Sequence, residues 1–501
     1  MSGLRRNRYE AIVVGSGAGG GVIAAELAEA GREVLLLEAG PRRTARDFTR
    51  WEARANHELW YPVAFATCET GGPPVPLLRA RVIGGTSTVN TKVALRIIDE
   101  DYEKWHNAAG VLGDRGEPLS ADDLAPHYER VERRLGVRPR DDWRPCVYAL
   151  APSFAEHGMP LQSVNSYTDV NCMGCGSCLQ GCPTNSGKNS FNVYIQEAVV
   201  NAGLTVATDS TVTRVLIEDR GDGLEARGVQ WTDAGGAQRE ASAEVVVVAG
   251  GALATPGILL RSGIRELTGN SPSSMLVGKN LGFHAAKIVT GLFDEIQDAH
   301  AMYPITAHAM QRMRDADGGY SIEAATVQDP IGCSVALSHE DGTPVWGQEL
   351  VDVMKRYRRL LGLLTMCSDE NNAQCFVDEQ GSDRYSYHFT EAEHRRVDEA
   401  ERTAFALLRG AGARRLFTTG VVSTHVQGSC RMGADPSRSV VDSHAESHDV
   451  KRLFIGDSSV IPAVISVNPS LTIMALASRT ARYLNSGEHG YLPAAPTHAA
   501  V

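Results

Sequence analysis

Short apolar runs alternate with amphipathic stretches along this chain, and the first three elements follow one another closely. Residues 11–14 form a β-type apolar run, and after a glycine-rich segment residues 22–28 have the composition of a helix. Residues 34–37 are a second apolar run, which ends at Glu38. This succession within about 30 residues predicts a βαβ unit with two parallel strands.

The remaining pattern predicts strands and helices spread over the whole chain. Helix-type charged runs occupy 121–136 and 391–410, and 470–485 predicts a last helix. Strand-type segments fill 206–248, and another apolar run covers 453–455. We therefore expect an α/β (α+β two-domain) fold, in which a dinucleotide-binding domain uses the beginning, the middle and the end of the chain.

Length and charge narrow the class of protein. The chain has 501 residues, more than one domain usually holds. Its net charge of −11 argues against a nucleic-acid partner and is compatible with a cationic substrate, although many enzymes are simply acidic. There is no secretory apolar region and no run of 18 apolar residues, so we expect a cytoplasmic protein without a membrane span.

Three glycines after the first strand have the spacing of a dinucleotide fingerprint. Gly15 permits a tight turn, Gly17 lets the backbone approach a pyrophosphate, and Gly20 allows the helix to pack on the strand. Ala18 lies at the helix N-terminus, which faces the phosphates. Glu38 is placed to accept hydrogen bonds from ribose hydroxyls. This motif predicts a dinucleotide and leaves NAD and FAD open.

Several further segments make the chain resemble a bacterial-type member of the glucose–methanol–choline (GMC) family of FAD-dependent oxidoreductases. They occur in the family's order over nearly the whole chain: RARVIGGTSTVN at 79–90, TVTRV at 211–215, VAGGALATP at 248–256, VGKNLGFH at 277–284 and Asp457-Ser458. The resemblance implies a Rossmann-like FAD-binding domain and a substrate domain built on an antiparallel sheet with helices. We expect 1–100, 198–285 and 421–501 in the first domain, and 101–197 with 286–420 in the second.

The resemblance also implies which residues contact FAD besides the fingerprint. They are Arg81, Gly84, Gly85, Thr86, Asn90, Val212, Asp457, Ser458 and Pro469. Some relatives attach FAD through a histidine near the first of these segments. Asn90 and Thr91 stand there in this chain, so we expect non-covalent FAD.

Two polar residues near the C-terminus match the family's active-site pair. His425 precedes the segment GSCRMG, and Asn468 lies in SVNPSLT. A histidine of near-neutral pKa is a suitable base for an alcohol proton, and an amide can orient the alcohol oxygen. The resemblance therefore implies a His–Asn pair that works beside the flavin. The other histidines, which include His284, His388, His444 and His448, are interpreted as structural or surface residues.

A cysteine-rich loop at 171–190 has the spacing of a bacterial ferredoxin. Cys172, Cys175, Cys178 and Cys182 follow the pattern C-x₂-C-x₂-C-x₃-C-P. A single run supplies three ligands to one cluster in two-cluster ferredoxins, and no second run occurs. An iron–sulfur (4Fe-4S) cluster that carries electrons from the flavin is the first hypothesis. Structural thiols and a zinc site are the alternatives.

The sequence predicts FAD-dependent oxidation of a small-molecule alcohol (CH–OH) to a carbonyl. A sugar or an amino-sugar is among the candidate substrates. The external electron acceptor is not identified by the sequence. Asp369 and Glu370 are candidates for contact with a cationic or polyhydroxyl ligand, and a solvated loop is the alternative there. Two other functions stay open. One is an oxidase that uses O₂ with structural cysteines, and the other is an electron-transfer flavoprotein or lyase on the same fold.

Overall fold

The predicted βαβ unit forms the centre of the largest sheet. The computed structural model describes residues 6–314, 319–325 and 329–496. Strand β1 (Arg8–Val14) pairs in parallel with β2 (Val34–Leu37), and helix α1 (Ala18–Glu29) connects them. Residues 11–14 of β1 and all of β2 are apolar and buried, as is typical of parallel strands that are covered on both faces.

This sheet has eight strands from separate parts of the chain. The order is β19-β10-β11-β1-β2-β8, with β20 beside β11 and β9 beside β10. Numbered along the chain, the other members are β8 (Thr205–Ala207), β9 (Thr211–Asp219), β10 (Leu224–Thr232), β11 (Gln238–Val248), β19 (Val450–Lys451) and β20 (Leu453–Ile455). Strands β2, β1, β11 and β20 run parallel, so their carboxyl ends meet at one edge. Ligands of open α/β sheets bind outside that edge.

A six-stranded antiparallel sheet forms the second layer. Its order is β18-β12-β15-β14-β13-β6, and its strands are β6 (Gln162–Ser163), β12 (His284–Leu292), β13 (Ile305–Ala309), β14 (Tyr320–Ala325), β15 (Leu360–Ser368) and β18 (Arg415–Phe417). The eight-stranded sheet with its parallel central strands and the six-stranded antiparallel sheet confirm the expected α/β (α+β two-domain) fold. The boundaries between the domains stay a prediction.

The remaining strands form two small sheets. One has four strands, β3 (Ala64–Cys68), β4 (Val75–Leu77), β16 (Gln374–Val377) and β17 (Asp383–Tyr387), and the other pairs β5 (Arg138–Pro139) with β7 (Asn165–Ser166).

Twelve α-helices surround the sheets in the part of the chain that is described. Besides α1 they are α2 (Glu52–Leu59), α3 (Asp99–Ala109), α4 (Ala121–Leu135), α5 (Pro145–Glu156), α6 (Gln196–Asn201), α7 (Thr255–Arg261), α8 (Ile264–Leu267), α9 (Pro330–Ala336), α10 (Gly347–Met354), α11 (Glu391–Gly410) and α12 (Ser470–Ser486). The helices predicted at 121–136, 391–410 and 470–485 are confirmed as α4, α11 and α12. Among the described helices, none is both long and apolar enough to cross a membrane.

Helix α11 covers one face of the antiparallel sheet. Lys287 on β12 forms an ion pair of 2.8 Å with Glu401, and the Tyr320 and Thr403 hydroxyls are 2.8 Å apart. The opposite face of this sheet contacts a C-terminal segment of the chain, where the hydroxyl of Ser368 on β15 donates to the carbonyl oxygen of Ile465 at 3.1 Å.

Candidate active site

The glycine-rich turn after β1 is built for close backbone contact. Gly15 has a φ of +96°, and a Cβ there would lie 2.2 Å from the carbonyl oxygen of Ala249, just after β11. A Cβ on Gly19 would lie 1.9 Å from the carbonyl oxygen of Gly456, just after β20. Gly17 differs, because no atom lies within 4 Å of the position of its Cβ. The turn thus packs tightly on two strand ends and leaves open space over Gly17.

That open space belongs to a cavity of about 350 Å³ at the carboxyl edge of the parallel strands. Most of the predicted cofactor residues line it: Gly15, Gly17, Ala18, Glu38, Gly85, Thr86, Asn90, Val212, Asp457, Ser458 and Pro469. The start of α1 borders the same space, so backbone N–H groups and the helix dipole are available to an anion. The open space over Gly17 and the lining residues Val212, Asp457, Ser458 and Pro469 fit a dinucleotide.

Three predicted cofactor residues do not line the cavity. A Cβ on Gly20 would lie 2.0 Å from the Gly15 carbonyl oxygen, so this glycine serves the packing of α1 on β1. The backbone N–H of Gly84 donates to the hydroxyl of Ser16 at 2.8 Å. Arg81 is exposed, with its guanidinium 5.9 Å from the centre of the Tyr61 ring. These three residues shape or flank the site.

Glu38 holds the turn in place. Its carboxylate accepts hydrogen bonds from the backbone N–H and the hydroxyl of Ser16, at 3.0 and 2.6 Å, and from the backbone N–H of Gly40 at 2.7 Å. Burial raises its pKa, and these hydrogen bonds oppose the rise. Glu38 therefore connects the end of β2 to the turn after β1.

Asp457 connects the ends of β20 and β11 in the same way. Its carboxylate accepts from the backbone N–H groups of Gly251 and Ser459 at 2.8 and 2.7 Å and from the Thr255 hydroxyl. Burial raises its pKa, and these donors oppose the rise.

His425 and Asn468 line the same cavity as the glycine turn, and a second histidine contacts His425. The Nδ1 atoms of His425 and His284 are 2.9 Å apart, and their rings are nearly perpendicular. His284 is 1% exposed and begins β12. His284, which the sequence placed among the structural or surface residues, is thus a buried residue in direct contact with His425. No sequence pattern could reveal this contact, which joins residues 141 positions apart.

The carbonyl oxygen of Ile465 determines which ring nitrogens of His284 and His425 carry a proton. His284 Nε2 is 2.5 Å from the carbonyl oxygen of Ile465, which can only accept, so Nε2 carries a proton. Burial lowers the pKa of His284 to about 4, so the ring is neutral and its Nδ1 is an acceptor. His425 must then donate from Nδ1. Burial and His284 hold the pKa of His425 well below its usual value, which leaves its Nε2 with a free lone pair.

Asn468 lies just before α12 and contacts the antiparallel sheet. Its Nδ2 lies 3.9 Å from the sulfur of Met366 on β15, and its buried Oδ1 has no hydrogen-bond partner among the described residues. A thioether is a weak acceptor, so the amide has hydrogen-bonding capacity left for a ligand.

The cysteine-rich loop packs close to the cavity. Cys172 and Cys178 contact an apolar cluster that includes Val93, and Val93 lines the cavity. Cys182 accepts a hydrogen bond from the backbone N–H of Gly187 at 3.2 Å. Burial raises the pKa of the Cys178 thiol to about 12, against the influence of Lys92.

The other three cysteines of the loop lie near Cys178, since Cys172, Cys175 and Cys182 each act to raise its pKa. Across residues 6–314, 319–325 and 329–496, no group of three or more His, Cys, Asp or Glu side chains is arranged to hold a metal ion. The structure of the described residues therefore gives no support to the expected iron–sulfur cluster or to a zinc ion.

Asp369 and Glu370 serve the structure of a turn. Asp369 accepts from the backbone N–H groups of Phe283 and Asn371 at 2.8 and 3.0 Å. Glu370 is exposed and lies 3.2 Å from the guanidinium of Arg396. Both carboxylates therefore have partners within the protein, Asp369 in a buried position and Glu370 at the surface.

Comparison with known proteins relates this geometry to one family. Two family profiles match the chain, both described as GMC oxidoreductase, an N-terminal one over residues 9–286 and a C-terminal one over residues 366–477. An uncharacterized GMC-type oxidoreductase of Mycobacterium tuberculosis is 28% identical over 94% of this chain and 75% of its own length. Paromamine 6'-oxidase of Streptomyces fradiae is 26% identical over 95% of this chain and 91% of its own.

A third relative and a solved structure extend the comparison. A long-chain-alcohol oxidase of Arabidopsis thaliana is 26% identical over 94% of this chain and 66% of its own length. The crystal structure of pyridoxine 4-oxidase from Mesorbium loti superposes with a TM-score of 0.71 at 20% identity, over 95% of this chain and 98% of that one.

Proposed function

The chain belongs to the GMC oxidoreductase family, and we propose that it oxidises an alcohol to a carbonyl compound with FAD as its cofactor. One observation carries this proposal. A histidine with a free Nε2 lone pair and an asparagine amide with a free oxygen line the same cavity as a dinucleotide-type glycine turn. The base that removes the proton and the site of the cofactor that removes the hydride thus lie in the same cavity.

The residues that would hold FAD are those that line the cavity. The N-terminus of α1 with Gly17 would receive the pyrophosphate, Glu38 the ribose hydroxyls, and Val212 the adenine. When bound, FAD supplies a two-electron acceptor for the hydride of the carbinol carbon. We also propose that FAD binds without a covalent bond, because Asn90 and Thr91 stand where some relatives have the histidine that attaches FAD.

His425 is the proposed base. Its Nε2 accepts the proton of the substrate hydroxyl, while its Nδ1–H continues to donate to His284. Because its pKa lies well below the usual value, the base is neutral at physiological pH without a separate deprotonation. The Nδ2–H of Asn468, which otherwise lies 3.9 Å from the weak acceptor sulfur of Met366, donates to the substrate oxygen and orients the carbinol hydrogen.

Reduction of the bound flavin by alcohols tests this function. Anaerobic mixing with a panel of primary alcohols, an amino sugar and a long-chain alcohol among them, is expected to bleach the flavin absorbance of the wild-type protein. His425→Ala is expected to keep its FAD and to bleach about 10²- to 10⁴-fold more slowly. Undiminished bleaching by the variant contradicts the assignment of the base, and absence of bleaching with every alcohol contradicts the function.

The electron acceptor is a separate part of the proposal. No step is assigned to an iron–sulfur cluster, because no metal-holding group occurs among the described residues. We propose O₂, since paromamine 6'-oxidase and the long-chain-alcohol oxidase are both named oxidases. Stoichiometric O₂ consumption with peroxide release supports an oxidase. Turnover with dichlorophenolindophenol but not with O₂ identifies a dehydrogenase.

A further inference from the structure

Lys92 is a buried cation without a carboxylate partner. Its side chain is 0% exposed, and no aspartate or glutamate in the described part of the chain acts on its charge. Lys287, which is also largely buried, pairs with Glu401 at 2.8 Å. An unpaired charge in the interior costs free energy, and the left-handed backbone of Lys92, with a φ of +59°, adds to this cost. Folding alone therefore does not account for a lysine at this position.

The ammonium group of Lys92 lies directly behind the wall of the cavity. Nζ donates hydrogen bonds to the carbonyl oxygens of Ser87 and Thr88, the latter at 3.2 Å. Ser87 lines the cavity, and so do Thr91 and Val93, which flank Lys92 in the chain. Neutral carbonyls satisfy the donors but leave the positive charge in place. The field of this charge therefore reaches the cavity through a layer of backbone of low polarisability.

The acidic groups that face Lys92 among the described residues are two thiols, those of Cys178 and Cys182. Cε of Lys92 and Sγ of Cys182 lie 3.0 and 3.6 Å from the position of a Cβ on Gly187. Burial raises the pKa of Cys178 to about 12, so this thiol is neutral at physiological pH. Burial lowers the pKa of Lys92 to about 8, so its amine still carries a proton at pH 7.

The charged groups that line the cavity supply little positive charge of their own. Glu38 and Asp457 are carboxylates, and Arg261 is paired with Asp383 at 2.6 Å. Arg79 also lines the cavity, but it is partly exposed, where water weakens its field. A negative charge that forms in the cavity would therefore find its buried counter-charge in the lysine behind the wall.

We propose that the buried ammonium group of Lys92 stabilises the negative charge that bound FAD gains on reduction, and that it thereby raises the reduction potential of the flavin. This inference rests on the proposed FAD site. A hydride brings one negative charge to its acceptor, so the reduced cofactor profits more from a nearby cation than the oxidised one. His425 is neutral until it takes up the substrate proton, whereas Lys92 offers its charge throughout.

Removal of the charge tests this inference through the potential. Lys92→Met keeps the length of the side chain and removes the charge. We expect the reduced flavin to become about tenfold less stable relative to the oxidised flavin, as for unit charges roughly 12 Å apart at an effective dielectric constant of about 20. For a two-electron couple this is a potential about 30 mV more negative, measured by equilibration with a reference dye. Lys92→Arg retains the charge and should stay within about twofold of wild type on the same scale.

Sulfite provides a second readout that needs no turnover. Its sulfur forms a bond to N5 of the oxidised flavin, and the ring takes up the negative charge. The dissociation constant of sulfite should therefore rise about tenfold in Lys92→Met and stay within about twofold in Lys92→Arg. Lys355→Met, which removes an exposed charge just after α10, is the control and should change neither quantity.

The outcomes separate this inference from the proposed function. If Lys92→Met shows both shifts while no alcohol bleaches the flavin, the inference stands and the function fails. Unchanged potential and sulfite affinity in Lys92→Met overturn the inference, and so does an equal shift in Lys355→Met. Cys182→Ser should change neither quantity, and a higher potential in this variant would show that the thiol balances Lys92 instead. If Lys92→Met does not retain FAD, Lys92→Gln, which can still donate to a carbonyl oxygen, should show the same shifts.

Discussion

Nδ1 of His425 lies 2.9 Å from Nδ1 of His284, and the other ring nitrogen of His284 donates to the carbonyl oxygen of Ile465. This chain of two hydrogen bonds allows only one arrangement of protons while both rings are neutral. It directs the lone pair of His425 away from His284, where a substrate hydroxyl can use it. His284 is therefore a positioning residue, and its effect on the reaction acts through His425.

Replacing His284 should impair the base without removing it. His284→Phe fills the space but offers no acceptor to Nδ1 of His425, so the ring loses its fixed tautomer. We expect kcat to fall about 10²-fold or more with unchanged FAD content, by analogy with the loss of an orienting group in a catalytic triad. Steady-state kinetics and the FAD spectrum measure both quantities. A kcat within a factor of two of wild type contradicts the positioning role.

The pH profile provides an independent test of the same pair. Burial and His284 lower the pKa of His425, so the base stays neutral below pH 6.5. For an uncharged alcohol, kcat/KM should be constant through neutral pH and fall only in more acidic solution. His284→Phe removes one cause of the lowered pKa, so the acid limb should move to higher pH. A wild-type limb centred at or above pH 6.5 disagrees with this assignment.

Two glycines of the turn should respond differently to the same added methyl group. Gly17→Ala meets no atom within 4 Å, so the thermal stability of the FAD-free protein should be unchanged while FAD binds more weakly. Gly19→Ala places its Cβ 1.9 Å from the Gly456 carbonyl oxygen, so it should destabilise the protein by about 1–3 kcal/mol. Thermal unfolding and FAD titration distinguish the two. Equal FAD affinity in Gly17→Ala and wild type removes Gly17 from the cofactor site.

The cysteine-rich loop should contain thiols and no cluster. Because no metal-holding group occurs among the described residues, protein purified without oxygen should show flavin bands and no stoichiometric iron or sulfide. Cys178→Ser should then leave the flavin spectrum and the rate of flavin reduction nearly unchanged. Iron and sulfide at several atoms per chain, lost in Cys178→Ser, would establish the cluster and contradict the structural interpretation.

The sequence predicted most of the fold but only part of the site. The βαβ unit, α4, α11, α12 and β20 were predictable because each depends on local periodicity or on glycine spacing. His284 was not, because its importance depends on strand register and on which sheet face is covered. The cluster that the cysteine spacing predicted is not confirmed, because no metal-holding group occurs among the described residues. The loop conformation is set by tertiary contact, as at Gly176, whose Cβ would lie 2.1 Å from the His300 carbonyl oxygen.

Glu323 should cost the protein stability, and this cost should depend on pH. Burial raises its pKa from the ordinary value to about 8, so the folded protein binds a proton there that the unfolded chain has released. The destabilisation is absent below the unfolded pKa, near 4.5, and grows until the pH passes about 8. His308, which faces Glu323 across the sheet, has its pKa lowered to about 4 by burial and stays neutral in this window. Asn468 and Leu364 carry no charge.

Glu323→Gln should therefore stabilise the protein by about 2–4 kcal/mol above pH 8 and have little effect at pH 4.5. Urea unfolding of the wild-type protein, Glu323→Gln and the exposed control Glu399→Gln at both pH values measures this difference. A variant that is less stable than wild type at pH 8 would show that the Glu323 carboxylate contributes to the fold.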